Sequence, residues 1–466
     1  MAKALRVGSL GITIVHISCG GFPLLPQVVS DLDPMLSSSV AALAKEYETY
    51  FPQEIVRPRI VGREAEFPVV DASGRAADVR RLWDSLIREG DFVESSDPSN
   101  SNLLVSLQGE DYSYALEVGL GTIEVNTRPC DDLYCIERIM HSAVRPLVRA
   151  ALRFGWRVLA YGIQPVSEPT LRIMSPKQRY QSLYRAMGDE WLWYTVTAAD
   201  QVQIDIARDE ALAMLNFGNL MAPVIIALCA NSPVYGGKLS PFCSGREGEM
   251  ALIHANEHRH GMPATPYTSI ADYIMRSTTI QHLILRSDGE VVPSSRSFAE
   301  DLRDSGPDMD KFLFHEHYIW NSARLRVAYG TLEVRPACQQ PWSSHMAASA
   351  LGLGLVESAD SIMSYVQETL GASYWDDMRA YHRRAIAKGL AASEPAPDFL
   401  VTIAGLADLG LRKRGRNEER FLQPIRERLL RRQNPAQWMR RIYRTRGLDA
   451  VVSNATILPA TIPAST

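Results

Sequence analysis

Cysteine is scarce in this chain: six in 466 residues, with no C-x-x-C pair. That is too few for a disulfide scaffold. Cys130 and Cys135, with four residues between them, lack the further ligands a zinc site would need. All six are therefore expected as reduced thiols of a cytoplasmic protein. Long hydrophobic runs are missing too, and none approaches the ~18 residues of a membrane span. The mildly apolar residues 7–17 follow Lys3 and Arg6, but glycine, serine and His16 break the run. No small-x-small cleavage site follows cleanly, so the stretch does not read as a secretory leader. An excess of one charge is also absent: a net charge of −4 favours neither nucleic acid nor an acidic membrane surface. No G-x-x-x-x-G-K-[ST] motif occurs, which argues against a P-loop nucleotide site. There are no internal repeats and no low-complexity segment.

What is present is ordinary globular material, 46% hydrophobic and 22% charged. Residues 1–55 read as an N-terminal extension, broken by Pro23, Pro26 and Pro34, with a helix over 37–50. Residues 56–448 read as the main unit and 449–466 as a loose tail. Apolar spacing predicts helices over 76–89, 131–155, 207–229, 344–370, 373–390, 417–432 and 435–444. The last third is thus mostly helical, with Pro395 and Pro397 marking a loop within it.

Four short segments alternate polar and apolar residues with the period of a strand. Glu64 and Glu66 share a face opposite Ala65 and Phe67. Glu124, Asn126 and Arg128 oppose Ile123 and Val125. Gln201, Gln203 and Asp205 oppose Val202 and Ile204, and Thr331, Glu333 and Arg335 oppose Leu332 and Val334. A solvated strand face is ordinary when it occurs once. Here carboxylates, amides and arginines recur at the centres of four strands, and that pattern points to a common site. Glu117 joins the set across Gly119–Leu120–Gly121, which reads as a tight bend returning the chain to Glu124. Clustered carboxylates repel unless a cation neutralises them, and Mg²⁺ favours oxygen ligands together with substrate phosphates. Two or three Mg²⁺ ions bridging ATP phosphates would satisfy Glu64, Glu66, Glu117, Glu124 and Glu333. Asn126, Arg128 and Gln203 are candidate substrate contacts. His315 and His317 read as an H-x-H pair on a strand, hydrogen-bonding at the edge of a site rather than ligating a metal. Trp191, Trp193 and Tyr194 read as packing residues.

These residues carry a resemblance to the glutamate–cysteine ligase family, in the branch of the plant and many bacterial enzymes. Its motifs are G-x-E-x-E at 62–66, the Glu117/Glu124 pair, Q-V-Q-I-D at 201–205 and A-N-S-P at 230–233 with Gly237, Ser244 and Arg246. Arg259-His260-Gly261, G-T-L-E-V-R at 330–335 and R-G-x(4)-R-F-L-x-P-I at 414–425 complete the set. Each motif is weak alone; their joint order and spacing across residues 58–445 make them specific.

The resemblance implies an α+β fold like that of glutamine synthetase, a strongly curved antiparallel sheet forming a funnel with helices outside. It implies ATP-dependent joining of a carboxylate to an amine through an acyl phosphate, with γ-glutamylcysteine formation for glutathione biosynthesis as the leading case. It also implies that Glu64, Glu66, Glu117, Glu124, Glu333 and Gln201 hold Mg²⁺. Arg335 would contact the transferred phosphoryl group, and Arg246 a substrate carboxylate. Arg324, in a segment closer to bacterial carboxylate–amine ligases, would be a further phosphate or substrate contact. The expected partners are amino acids and ATP, with no nucleic acid or membrane, and a homodimer left open.

The sequence departs from that pattern at one place. Val196 stands where the branch carries an arginine near the substrate, and Asp200 adds a negative charge beside Gln201. Loss of an arginine–carboxylate contact weakens the case for a dicarboxylic amino acid. A related ligase using another acid or amine is therefore the alternative. A non-catalytic binding relative would show lost carboxylates, and all five are present.

Overall fold

In the computed structural model, which describes residues 33–287 and 289–463, the alternating segments meet in one sheet. Its strands are β1 (Val61–Val70), β2 (Val93–Asp97), β3 (Asn100–Gln108), β4 (Tyr112–Leu116), β5 (Thr122–Thr127), β6 (Arg157–Val158), β7 (Asp200–Asp205), β8 (Ala323–Arg326) and β9 (Thr331–Val334). The order is β8-β9-β7-β1-β5-β4-β3-β2, with β6 paired to the end of β1. Every pairing in it is antiparallel. The sheet is concave. Seven strands placed about 4.8 Å apart would span far more than one pocket if flat, yet side chains from β1, β3, β4, β5, β7, β8 and β9 line a single cleft.

The opposite face carries the core. Val61, Ala65, Phe67, Ile123, Val125, Val202, Ile204 and Leu332 are buried there, as period-two alternation requires. Helices supply the other half: α1 (Pro34–Thr49), α2 (Leu133–Arg153), α3 (Ala211–Leu220), α4 (Ala222–Cys229), α5 (Gly245–Met250), α6 (Ala347–Glu357), α7 (Ala359–Leu370), α8 (Tyr374–Lys388), α9 (Phe399–Lys413), α10 (Gln423–Arg431), α11 (Pro435–Arg446) and α12 (Leu448–Ala455). Helix α2 covers β1 and β5, and α6 covers β7. No described helix is by itself long and apolar enough to cross a membrane. The apolar α3–α4 pair is core material, with Val224, Ile225, Ile226 and Leu228 buried.

Several expectations are corrected. The stretch 76–89 is not one helix but a 3₁₀ turn (Val79–Leu82) running into the short helix Trp83–Ile87, because the Asp78 side chain accepts from Arg80 N and starts the turn there. Helix α9 fills a stretch for which no helix was expected; its buried Phe399, Ile403, Ala407 and Leu411 recur every four residues. The helix inside the presumed extension, α1, is not peripheral. Leu36, Val40, Leu43 and Tyr47 belong to the main core, and α1 packs on the helices Ile270–Thr278 and Phe298–Ser305. Residues 449–463 are likewise no loose tail, since Val451, Val452, Ile457 and Ile462 are buried.

Cys130 and Cys135 are joined as a disulfide, against the expectation of six reduced thiols. The turn between β5 and α2, capped by Asp132 on Cys135 N, brings their Cα atoms to 5.8 Å. Cys229, Cys243 and Cys338 are free and buried. Cys19 and the apolar run 7–17 lie outside the described residues.

Candidate active site

Register builds the site. Glu64 lies across from Asn126 on one side and Gln201 on the other, and Glu66 lies across from Glu124. Gln203 lies across from Glu333, and Glu333 across from Arg324. Side chains of one face therefore stand in adjacent rows, and all of these except the fully buried Glu333 line a cleft of about 800 Å³ with Glu117, Arg128, Arg246 and Arg335.

The cleft is electrically divided. On one side stand Glu64, Glu66, Glu117 and Glu124. Burial raises the Glu66 carboxyl to about 8, with Glu117 adding to it against Arg246. Burial, then Glu117, Glu64 and Glu66, push Glu124 well above the carboxylate range. Glu64 is also raised, by burial and then by Glu333. The neighbouring amides hold these groups in place. Gln203 Nε2 donates to Glu64 at 2.8 Å, Gln201 Nε2 to Glu66 at 3.3 Å and Asn126 Nδ2 to Glu124 at 2.8 Å, while Ala199 N donates to the other oxygen of Glu66 at 2.8 Å. Each amide donates its N–H, and two of the three amide oxygens are left over, since that of Gln203 accepts from Thr331 Oγ1. Gln201 Oε1 and Asn126 Oδ1 are buried with no partner. Crowded carboxylates and orphaned carbonyl oxygens are a donor set suited to a hard cation such as Mg²⁺.

On the other side stand arginines. Glu333, fully buried, accepts from Arg324 and Arg335, with Arg326 at 3.8 Å. Burial would raise its carboxyl, but the three guanidinium groups outweigh that and hold it well below the ordinary range. Glu333 thus anchors an arginine cluster rather than standing with the other carboxylates. Arg335 and Arg326 both face the cleft.

The loops have identifiable reasons. Arg246 is placed by the A-N-S-P turn: Ser232 Oγ accepts from Arg246 N at 3.1 Å and Ser244 caps α5. A Cβ on Gly245 would stand 2.4 Å from Ser232 O, so only glycine lets the two segments meet. Glu117 is placed by the bend after β4. A Cβ on Gly119 would stand 1.9 Å from Thr195 O, and the bend packs directly on the segment before β7.

The family now follows. A model of glutamate-cysteine ligase family 2 (GCS2) matches residues 60–454. The chain belongs to that family. It is 22% identical over 389 residues to the chloroplastic glutamate–cysteine ligase A of Oryza sativa subsp. indica, covering 78% of this chain and 74% of that one. It is 29% identical over 211 residues to a Frankia alni protein carrying a glutamate–cysteine ligase 2 name, covering 43% of this chain but only 24% of that protein. Among solved structures, a glutamate–cysteine ligase from Francisella tularensis in complex with AMP superposes with a TM-score of 0.53 at 12% identity, over 87% of this chain and 89% of that one. The fold is that of this C–N ligase class.

Within the family frame, the structure sorts the expected residues. Glu64, Glu66, Glu117, Glu124, Gln201 and Asn126 come together. Gln203 is internally committed, because its oxygen accepts from Thr331 Oγ1 at 2.6 Å while its nitrogen holds Glu64. Arg128 stands at the rim, half exposed and paired with Asp111 at 2.7 Å. Arg246 donates to Glu247 and reaches the cleft. Asp200 does not face the substrate at all. It lies behind the sheet, where Arg63 neutralises it. The C-terminal R-G-x(4)-R motif is also structural: Arg414 ties Glu357, Glu418 and the carbonyls of Arg59 and Asp131 together.

His315 and His317 lie at the end of the helix Met309–Glu316, not on a strand. His315 is buried against Ser277 O, and His317 alone lines the cleft. Among the described residues one group of three ligand-type side chains converges within 4.8 Å, Glu137, His141 and His345. It lies behind β1, where Arg63 Nη1 sits 3.1 Å from His345 Nδ1. Arginine can only donate, so the His345 proton is on Nε2, which a metal would need free.

Sequence reasoning missed Arg326, although it shares the period-two face of Arg324 in A-R-L-R. It also missed the cleft-facing roles of Trp191, Tyr194 and Trp320, which no spacing rule reveals. Trp193, by contrast, packs on Tyr235 as expected. A second cavity of about 710 Å³ adjoins the cleft at Arg179, His317 and Tyr318 and adds Lys177 and Arg286.

Proposed function

We propose that the protein is an ATP- and Mg²⁺-dependent ligase that activates a carboxylate as an acyl phosphate and transfers the acyl group to an amine. The observation that carries this reading is the division of one cleft into a carboxylate half with orphaned amide oxygens and an arginine half centred on Arg335. Glu66, Glu117, Glu124, Gln201 and Asn126 would hold Mg²⁺, with Glu64 beside them. When bound, the ions would neutralise the triphosphate and polarise its γ-phosphoryl group.

The substrate carboxylate oxygen attacks the γ-phosphorus, and ADP leaves. Phosphoryl transfer is loose and spreads charge over the phosphoryl oxygens. Arg335 stands buried and fixed by Glu333, so it is pre-aimed and needs no reorganisation when that charge develops. Arg324 and Arg326 add to the same field. The amine nitrogen then bonds to the acyl carbon, inorganic phosphate leaves with the oxygen it received, and the amine's proton is released.

Glutamate and cysteine are the first substrates to test, following the family. A second reading, a ligase for another acid or amine, is favoured by Val196, which is fully buried in an apolar cluster with Tyr161 and Ile163 and offers no cation to a side-chain carboxylate. The test is ADP release from Mg²⁺–ATP and glutamate with cysteine, then with hydroxylamine as a small universal nucleophile. Cysteine-dependent ADP release with a γ-glutamylcysteine mass supports the first reading. A hydroxamate formed with glutamate or another acid, but no cysteine adduct, supports the second. Absence of ADP release with every acid, together with no binding of ATP, overturns both.

A further inference from the structure

An amine attacks an acyl phosphate only with a free electron pair on nitrogen, and an amino acid brings that nitrogen as an ammonium at neutral pH. A group in the cleft must take the proton. Most carboxylates there are committed: Glu64, Glu66 and Glu124 accept from amides, Asp111 pairs with Arg128, and Glu247 pairs with Arg246. Two histidines line the cleft, His260 and His317. His317 belongs to the guanidinium half, its carbonyl accepting from Arg324 Nη1. His260 instead has a carboxylate beside it, with Nε2 3.7 Å from Glu247 Oε2.

Local structure fixes His260 there. His260–Gly261 pairs in parallel with Trp320–Asn321, and Ser322 N donates to Gly261 O at 3.0 Å. Gly261 has a φ of 73°, and a Cβ on it would stand 3.4 Å from His382 Cε1, so α8 buttresses this strand closely. The neighbouring His382 Nε2 is buried with no partner, but neither ring nitrogen of His260 is sealed in that way, and the imidazole opens to the cleft. Glu247 accepts at its other oxygen, Oε1, from Arg246 Nη1. A guanidinium, a carboxylate and an imidazole therefore stand in line along the cleft.

The charged or titratable groups that face His260 are Arg246 and Glu247 of α5, Arg335 after β9 and His382 of α8. In the empty cleft burial, then Arg246 and Arg335, lower His260 to about 3. It is neutral and able to accept, but weakly basic. Substrates remove that weakness. A substrate carboxylate on Arg246 and a phosphoryl group on Arg335 offset the two cations that depress the imidazole. Arg246 then shares its charge with the substrate, and Glu247 turns toward His260. A separation of 3.7 Å is long for a hydrogen bond, but catalytic contacts of an empty enzyme commonly tighten in the substrate complex.

We propose that His260 is the general base that deprotonates the amine, that Glu247 is its positioning residue, and that occupation of Arg246 by a substrate carboxylate engages the pair. The inference rests on the ligase reading above and supplies its proton acceptor. Glu247 holds Nε2–H, and Nδ1 takes one proton from the ammonium. The freed electron pair bonds to the acyl carbon, and the carbon–oxygen bond to phosphate breaks. A second proton passes from that nitrogen to the departing phosphate, and the imidazolium returns its proton to water.

The test compares two acceptors on the full-length protein with Mg²⁺–ATP and the acid it uses. One is an amino acid, cysteine first and then the other common amino acids. The other is hydroxylamine, which arrives unprotonated at neutral pH and needs no base. At pH 7, His260→Gln should lower amino-acid-dependent kcat at least about a hundredfold more than hydroxylamine-dependent kcat, the low end of general-base catalysis, with KM for the amino acid little changed. The loss should shrink as pH rises from 6 to 8, because free amine grows about tenfold per unit below its ordinary value near 8. Glu247→Gln should move the same ratio in the same direction. Equal loss with both acceptors overturns the proposal, since His260 would then be structural. No loss with either also overturns it, as does a deficit that ignores pH, or a wild type that uses hydroxylamine but no common amino acid. Failure of the ligase reading looks different, because wild-type protein would then release no ADP with hydroxylamine and any acid.

Discussion

Arg63 forks onto Asp200 behind the same strand that carries Glu64 and Glu66 in front, with Nε and Nη2 each 2.8 Å from a carboxylate oxygen and both side chains fully buried. Arg63 and Asp200 stand on the core face of β1 and β7, so the pair fixes the spacing of the strands whose other face lines the cleft. Removing one partner leaves an uncompensated buried charge. Asp200→Ala should destabilise the chain by about 3–5 kcal/mol. Chemical denaturation checks this; a change below about 1 kcal/mol would mean the pair does not hold the sheet.

Arg335→Ala should leave the fold intact and lower turnover by roughly 10²–10³, the effect of losing one donor aimed at developing charge, about 2.7–4 kcal/mol. The substrate KM values should move little by comparison. Steady-state kinetics separates the two, and wild-type turnover in the variant would remove Arg335 from the chemistry.

The pH dependence has a definite sign. The Glu66 carboxyl moves from an ordinary 4.5 to about 8 in the folded chain, through burial first and Glu117 second. A raised carboxyl binds a proton better folded than unfolded, so its stabilising contribution is full below the unfolded value and is lost as pH rises through about 8. On the proposed assignment, Mg²⁺ would require that proton to leave. Melting temperature in chelator should therefore fall between about pH 5 and pH 8.5, while the stabilisation by Mg²⁺–ATP grows over the same window. Glu66→Gln should flatten both trends; a Mg²⁺ effect independent of pH would contradict the assignment.

Gly119→Ala should be far more damaging than a glycine-to-alanine change in an open turn. The added methyl would meet Thr195 O at 1.9 Å, and backbone cannot step aside as a flexible side chain can. The bend would lift from the segment before β7 and carry Glu117 away from Glu66 and Glu124. The expected readout is a rise in the Mg²⁺ concentration needed for activity, alongside a lower melting temperature. An unchanged Mg²⁺ requirement would show that Glu117 is not placed by this contact.

Alternation of polar and apolar residues determined, from the sequence alone, which side chains share a face: Glu64 with Glu66, Glu124 with Asn126, Gln201 with Gln203, Glu333 with Arg335. That follows because strand geometry is local and its period is two. Helices such as α2 and α8 were legible for the same reason, and the family motifs were legible because their order survives at low identity. Tertiary structure decided the rest. Strand order set Glu333 among Arg324, Arg326 and Arg335 instead of among the carboxylates. It brought Arg63 to Asp200 on the core face, and Trp320 to Tyr194 across more than a hundred residues. It also drew α1 into the main core and closed Cys130 onto Cys135. A residue's partners depend on long-range pairing of strands and loops, and no local period encodes that pairing; the chain states its chemistry by type and face, and the fold decides which groups meet.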